Sequence, residues 1–512
     1  MLPKYNFYDI INTIKEKSLT AFKIRVYCIG VKQIRLRLCT YDIITLICFT
    51  KERSNLMERE GLKSRLGFIL LSAGCAIGIG NVWRFPYVVG NYGGGIFVLF
   101  YIIFLAAVGI PVLTMEFAIG RASRKSVAKA YYALEPEGSK WHLHSNIAIA
   151  GNYLLMMFYT TVAGWMMYYF YKFASGGFSG MDTESVKSVF DSVLASPGTM
   201  SFWMLAAVVI GFGICSLGLQ KGVEKITKVM MTALLALIII LAVHAVRLDG
   251  GAEGVKFYLL PDFSKVKELG FFTIITTAMN QSFFTLSIGM GSMMIFGSYI
   301  DKSHTLLGES INIAALDTFV AIMAGLIIFP SCFSFGIEPD SGPSLIFITL
   351  PNVFTSMTGG RVWGTLFFLF MTFAALSTVI AVFENIIACC SEKFEISRKK
   401  SIVINLILIS ALSLPCVFGF NLLSGIHPLG GDSTILDLED FLVSNIILPA
   451  GSLIYLLFCM TKYGWGFKNY RSEANTGRGV KIPSWCGFYF KYILPILVAA
   501  LMIQGIWNVF AK

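Results

Sequence analysis

Ser72-Ala73-Gly74-Cys75-Ala76-Ile77-Gly78-Ile79-Gly80-Asn81 interrupts an apolar stretch, and Phe284-Thr285-Leu286-Ser287-Ile288-Gly289-Met290-Gly291-Ser292 interrupts another about 210 residues later. A Gly-x-Gly step in a lipid-embedded helix frees backbone amides and carbonyls that hydrocarbon cannot solvate. It persists only where it is buried in protein or lines a cavity. One such break on its own is equally a small-residue packing motif. Two matching breaks in the two halves of a chain point instead to a solute site between them. If the breaks mark corresponding helices, each half holds five spans, an odd number, so the second half begins from the opposite side of the membrane. The expected fold is therefore all-α and polytopic, with inverted five-helix repeats and broken helices 1 and 6.

The rest of the chain agrees. Its 512 residues are 56% hydrophobic and only 14% charged, with mean hydropathy +0.71, against roughly 25% charged in soluble domains. About eleven apolar runs are long enough to span, at roughly 67–90, 94–120, 147–173, 201–218, 224–247, 271–299, 306–333, 361–391, 401–423, 438–461 and 486–510. Repeat one is expected at about 67–247, repeat two at about 271–461, and an extra helix at about 486–510. All fall in one transporter domain, 57–512. Residues 1–56 are basic and precede Met57-Glu58-Arg59-Glu60. They are expected to be an over-extended reading frame or a dispensable cytoplasmic tail.

The net charge of +11 is not a nucleic-acid signature, because the basic residues alternate by side. Even-numbered connections hold Arg121, Arg124, Lys125, Lys129, Lys221, Lys225, Lys228, Lys393, Arg398, Lys399, Lys400, Arg471 and Arg478. Odd-numbered ones hold most of the loop acids, among them Asp182, Glu184, Asp191, Glu338, Asp340 and Asp432. The positive-inside rule puts the N-terminus in the cytoplasm and, after eleven spans, Lys512 outside. The eleven cysteines show no zinc or redox spacing and read as buried small hydrophobes. No nucleophile–base pair or metal cluster suggests an enzyme. The Pro- and Gly-rich connection 334–360 either covers an outer vestibule or lies on the membrane surface.

Ionisable residues inside spans are costly and therefore informative. They are Arg84, Glu116, His244, Asp317, Glu384 and Asp440. Asp317 needs a cation beside it or a proton on it. Glu116 and Glu384 are expected to hydrogen-bond the loosened backbone of the broken helices, and His244 to sit at the interface. Arg84 and Asp440 either pair across an outer vestibule or snorkel separately. Ser377 and Thr378 put two hydroxyls in span eight, where the ordinary role is a bond back to the helix. Carbonyls and hydroxyls at a break suit a hard cation, and half-helix N-termini suit a carboxylate.

Gly78-Ile79-Gly80-Asn81-Val82-Trp83-Arg84-Phe85-Pro86-Tyr87, followed by Asn91-Tyr92-Gly93-Gly94-Gly95, resembles the neurotransmitter:sodium symporter family in its bacterial LeuT-like branch. Gln281 through Ser287, Met115-Glu116-Phe117-Ala118-Ile119-Gly120-Arg121 and Lys221-Gly222-Val223-Glu224-Lys225 extend the likeness over about residues 57–512. The resemblance implies two sodium sites. One would use the Ala76 carbonyl, Asn81, Thr285, Asp317 and the substrate carboxylate; the other would use the carbonyls of Gly74, Ile77 and Ala374 with the Ser377 and Thr378 hydroxyls. Substrate would lie against Ala76, Gly80, Leu155, Tyr159, Phe284, Thr285, Ser287, Met290, Thr378 and Val382. Arg84 with Asp440 would form the outer gate, and Arg59 with Glu392, near Tyr299, the inner one.

The resemblance also refines the substrate. Monoamine members carry an aspartate where this chain has Gly80, which favours a substrate bringing its own carboxylate. Chloride-dependent members pair an asparagine at the Asp317 position with a serine at the Ala321 position, so transport is expected to be chloride-independent. The implied activity is sodium-coupled symport of a neutral amino acid, hydrophobic or aromatic given Met290 and Ser287, across the inner membrane of a bacterium. The alternatives are proton coupling through Glu116 or Asp317, or a sensor that binds an amino acid without moving it. One departure stands out: many bacterial members have a proline where this chain has Thr232, ten residues after Gly222.

Overall fold

The computed structural model describes residues 61–336 and 344–510. Helix is the only extended element among them, and β-pairing is confined to the isolated bridges Gly94–Pro261 and His304–Arg478. Residues 1–56 and Arg59 lie outside the described residues.

The spans follow the predicted runs closely. The first, α1, is the bent pair Arg65–Ala76 and Gly80–Asn91, with 57° between its halves. The unbroken spans that follow are α2 (Gly95–Ser123), α3 (Trp141–Ala174), α4 (Pro197–Ser216) and α5 (Leu219–Val246). Next comes α6, in two halves, Phe271–Thr285 and Ser292–Tyr299. The remainder are α7 (Leu306–Ser334), α8 (Gly360–Phe394), α9 (Arg398–Phe418), α10 (Ile435–Met460) and α11 (Cys486–Trp507). Counting the two halves of α6 as one crossing of sufficient length gives, among the described residues, the number of spans read from hydropathy.

Both breaks have local causes. In α1 the Ser64 hydroxyl caps the first half by accepting from Gly67 N–H at 3.0 Å. The helix stops because Ile77 turns extended (φ −69°, ψ 93°). It restarts as a wide π turn over Gly80–Arg84, and Pro86 then enters the first turn of the following helix, where its missing N–H is harmless. In α6 the backbone runs left-handed at Ser287 (φ 51°), Gly289 (φ 108°) and Gly291 (φ 78°). Gly289 is required twice over, since a Cβ there would also lie 2.3 Å from the Leu448 carbonyl oxygen.

The centre of the bundle is α8, whose most apolar window is 83% buried, against 28% for the peripheral α11. It packs mainly on α3, with α1, α4 and α5 around them. In the connection 334–360, the described residues from 344 onward pack into the bundle. Its residues Leu345–Thr349 form a π turn, and Phe347, fully buried, sits in an aromatic nest of Trp83, Trp165, Tyr169, Phe190 and Phe368. The Tyr169 hydroxyl donates to the Phe347 carbonyl at 3.0 Å. His244 stacks on Trp363 at 3.7 Å between ring centres. The described cysteines are free, and nearly all are buried. Where the family offers a proline in α5, the helix runs through Thr232, whose hydroxyl bonds back to Lys228 O at 2.8 Å.

Candidate functional site between the two breaks

The α1 break, the end of α6's first half and the middle of α7 bring together Asn81, Thr285 and Asp317, all essentially without solvent exposure. Asn81 Nδ2 donates to Asp317 Oδ1 at 2.9 Å and to Thr285 Oγ1 at 3.0 Å, and lies 3.3 Å from the Asp317 carbonyl. Thr285 Oγ1 donates to Asp317 Oδ2 at 2.8 Å. Tyr101 of α2, which sequence reading passed over as one more apolar-span aromatic, brings its hydroxyl within 3.5 Å of both Thr285 Oγ1 and Asp317 Oδ2. Every group touching Asp317 here is neutral. A buried carboxylate with only neutral donors is an uncompensated charge, so the cluster is built for a cation or a proton.

A second cluster forms where α8 crosses the same break. Thr378 Oγ1 lies 3.2 Å from Gly74 O and 3.5 Å from each of Cys75 O, Ile77 O and Ala374 O. Ser377 Oγ donates to Ala374 O at 2.9 Å, so the back-bonding expected of it is present. One hydroxyl proton can serve only one acceptor at a time. Thr378 therefore faces a surplus of carbonyl oxygens, the donor set a hard cation prefers.

Between the clusters, Ile79 N–H donates to the Tyr159 hydroxyl oxygen at 3.1 Å. A Cβ on Gly78 would lie 2.4 Å from that oxygen and 2.8 Å from Thr378 Oγ1. Phe284 lies across Gly80, where a Cβ would come within 2.6 Å of its ring, and the Arg84 guanidinium sits 4.2 Å above that ring. Ser287 Oγ reaches Cys75 O at 3.4 Å. Ala76, Leu155, Met290 and Val382 are buried in the bundle core.

The ionisable residues divide differently from expectation. Glu116 does hold the loosened backbone: its Oε1 accepts from Gly289 N–H at 2.6 Å and Gly291 N–H at 3.4 Å, and its Oε2 from Met293 N–H at 3.2 Å. Glu384 does not. It pairs with Arg398 at 2.5 Å and accepts from the Tyr299 hydroxyl at 2.9 Å. Arg398, read from sequence as a loop charge, opens α9 with its side chain turned inward. Arg84 and Asp440 are joined through Ser444, which accepts from Arg84 Nη1 at 3.4 Å and donates to Asp440 Oδ1 at 2.7 Å. Glu392 is anchored on Ser126, accepting from its hydroxyl at 2.8 Å and from its N–H.

Residues 59–179 and 183–512 match the model of the sodium:neurotransmitter symporter family. The chain belongs to that family. It is 34% identical over 444 residues to the uncharacterized sodium-dependent transporter YhdH of Bacillus subtilis, covering 86% of this chain and 96% of that one. A sodium-dependent transporter of Methanocaldococcus jannaschii is 30% identical, covering 88% and 92% respectively. A crystal structure of MhsT in complex with L-phenylalanine superposes with a TM-score of 0.79 at 34% identity, covering 88% of this chain and all of that one. The fold is thus that of the family's LeuT-like transporters. The chain is a multi-pass, sodium-coupled membrane transporter and not an enzyme.

Proposed function

We propose that this symporter moves a neutral amino acid with a hydrophobic or aromatic side chain, driven by two sodium ions, by alternating access and without chloride. The observation that carries this reading is the buried Asp317 carboxyl, held at the α1 break by neutral donors only. A sodium ion among Ala76 O, Asn81, Thr285 and Asp317 would complete its charge balance, with the substrate carboxylate as a further ligand. A second ion fits the oxygens around Thr378: Gly74 O, Ile77 O, Ala374 O and Ser377 Oγ. Substrate would lie between them, its carboxylate toward Tyr159 and the α1 break and its side chain toward Leu155, Phe284, Ser287, Met290 and Val382.

Gly80 supports the substrate class. A Cβ at position 80 would already come within 2.6 Å of the Phe284 ring, so this position offers no protein carboxylate, and a second anionic ligand to sodium, beside Asp317, would arrive with the substrate. MhsT, the structural relative, is seen with L-phenylalanine, which agrees with an aromatic or bulky side chain. Asp317 supplies a fixed negative charge and Ala321 offers no side-chain ligand, which is the basis for chloride independence. Arg84 with Asp440 would close the outer side, and Arg59, Glu392 and Tyr299 the inner. The reading places the protein in a bacterial inner membrane, N-terminus inside and C-terminus outside, with repeats at 67–247 and 271–461.

The energetics are sufficient. Two sodium ions crossing about 100 mV supply roughly 4.6 kcal/mol, and a tenfold gradient of each adds about 2.8 kcal/mol. Tight coupling would sustain roughly five decades of accumulation. The test is uptake into proteoliposomes under imposed gradients. Accumulation that follows sodium and membrane potential is expected. Accumulation that follows pH and ignores sodium would assign Asp317 to a proton, and binding without counterflow would make the chain a sensor.

A further inference from the structure

Asn152 on α3 is almost fully buried, and its amide is saturated. Nδ2 donates to Met290 O at 2.9 Å and to Ala148 O at 2.7 Å, while Oδ1 accepts from Ser292 Oγ at 2.8 Å and from Asn385 Nδ2 at 3.1 Å. A primary amide has two N–H donors and one oxygen with two lone pairs, so no capacity is left over. The network fixes the amide's orientation, since a flip would set its NH2 against that of Asn385. Asn152 thereby ties the α6 break, at Met290 and Ser292, to α3 and α8.

Its neighbour Gly151 acts on the same residue by shape. A Cβ there would lie 3.0 Å from Met290 Sδ, 3.4 Å from Met290 Cγ and 2.7 Å from Ile447 Cγ2. Glycine leaves a notch on α3, and the Met290 thioether and Ile447 fill it. Met290 is unbranched, and its side chain gives way more readily than its surroundings.

We propose that Gly151 and Asn152 are specificity-determining residues that set which substrate side chains fit, Gly151 by seating the Met290 side chain and Asn152 by holding the Met290 carbonyl. This rests on the reading that Met290 faces the transported amino acid. A methyl group at position 151 displaces the thioether from its notch into the substrate space, and selectivity then turns against bulky side chains.

The test is sodium-dependent binding of radiolabelled phenylalanine to the purified full chain, competed by valine, leucine and tryptophan, with sodium half-saturation measured in parallel. Gly151→Ala should weaken tryptophan relative to valine by about tenfold, the scale of one methylene in a hydrophobic pocket, with sodium half-saturation unchanged. Gly151→Ala with Met290→Ala should restore tryptophan. Asn152→Ala should flatten the ranking and Asn152→Ser retain part of it. Equal weakening of every competitor, or no restoration by Met290→Ala, overturns the proposal. If Gly151→Ala does not fold, Asn152→Ser decides: an unchanged ranking overturns the proposal and a flattened one at unchanged sodium half-saturation supports it. Wild-type protein that binds none of these amino acids in sodium refutes the proposed substrate class instead, and does so before any variant is made.

Discussion

Asp317, Thr378 and Gly80 each carry one separable part of the account. Replacing Asp317 by Asn removes the buried charge and keeps the hydrogen-bonding shape, so sodium half-saturation should rise at least about tenfold, equivalent to about 1.4 kcal/mol. Sodium titration of bound amino acid reads this directly, and an unchanged value would contradict the assigned role. Thr378→Val leaves Gly74 O and its neighbouring carbonyls without their hydroxyl and should raise sodium half-saturation by a similar factor. Gly80→Ala places a Cβ 2.6 Å from the Phe284 ring. Amino-acid affinity should fall by about ten- to hundred-fold, with the protein still folded as judged by gel filtration. Asp317 could be picked from sequence because ionisable groups are rare and costly inside spans; Asn81 and Thr285 were reached only through the family resemblance. Asn152 was open to neither route. An asparagine in a helix ordinarily bonds its own backbone, as this one does at Ala148 O, and nothing local reveals its other partners. Arg398 was hidden for a different reason: a charge at a span's first turn reads the same whether it turns to water or inward to Glu384.

At the scale of elements, the breaks in α1 and α6 were visible in the glycine pattern, and the boundaries of most spans in hydropathy alone. Their depth order was not. Every span is apolar, so composition cannot tell the enclosed α8 from the peripheral α11; only packing separates them. The connection 334–360 was equally open, and the burial of Phe347 among five aromatic neighbours shows its described part packed on the bundle. The α6 break depends on Glu116, whose carboxylate accepts from Gly289, Gly291 and Met293 N–H groups. Glu116→Gln keeps one acceptor oxygen but turns an NH2 toward a backbone donor, leaving a buried N–H without a partner at about 1–3 kcal/mol. Hydrogen exchange at the 289–293 amides should accelerate by roughly ten- to hundred-fold, accompanied by a lower thermal midpoint. Unchanged protection there would show that the glycines alone hold the break.

At the scale of the whole molecule, the proposed mechanism needs two closures, one on either side of the proposed site. On the predicted-external side, Phe284 lies over Gly80, Arg84 over Phe284, and Ser444 links Arg84 to Asp440. On the other side, Glu384 gathers Arg398 and Tyr299, and Glu224 accepts from Lys63 N–H and the Ser64 hydroxyl, pinning the start of α1. Under the proposed alternating-access mechanism these sets would open one at a time, with sodium and substrate biasing the choice through differential affinity. The most direct measurement is equilibrium binding of radiolabelled phenylalanine to the purified chain in sodium or potassium, each as the chloride and the gluconate salt. The account predicts saturable binding in both sodium salts, steeper than first order in sodium and indifferent to chloride. Equal binding in sodium and potassium would contradict it and leave Asp317 to a proton.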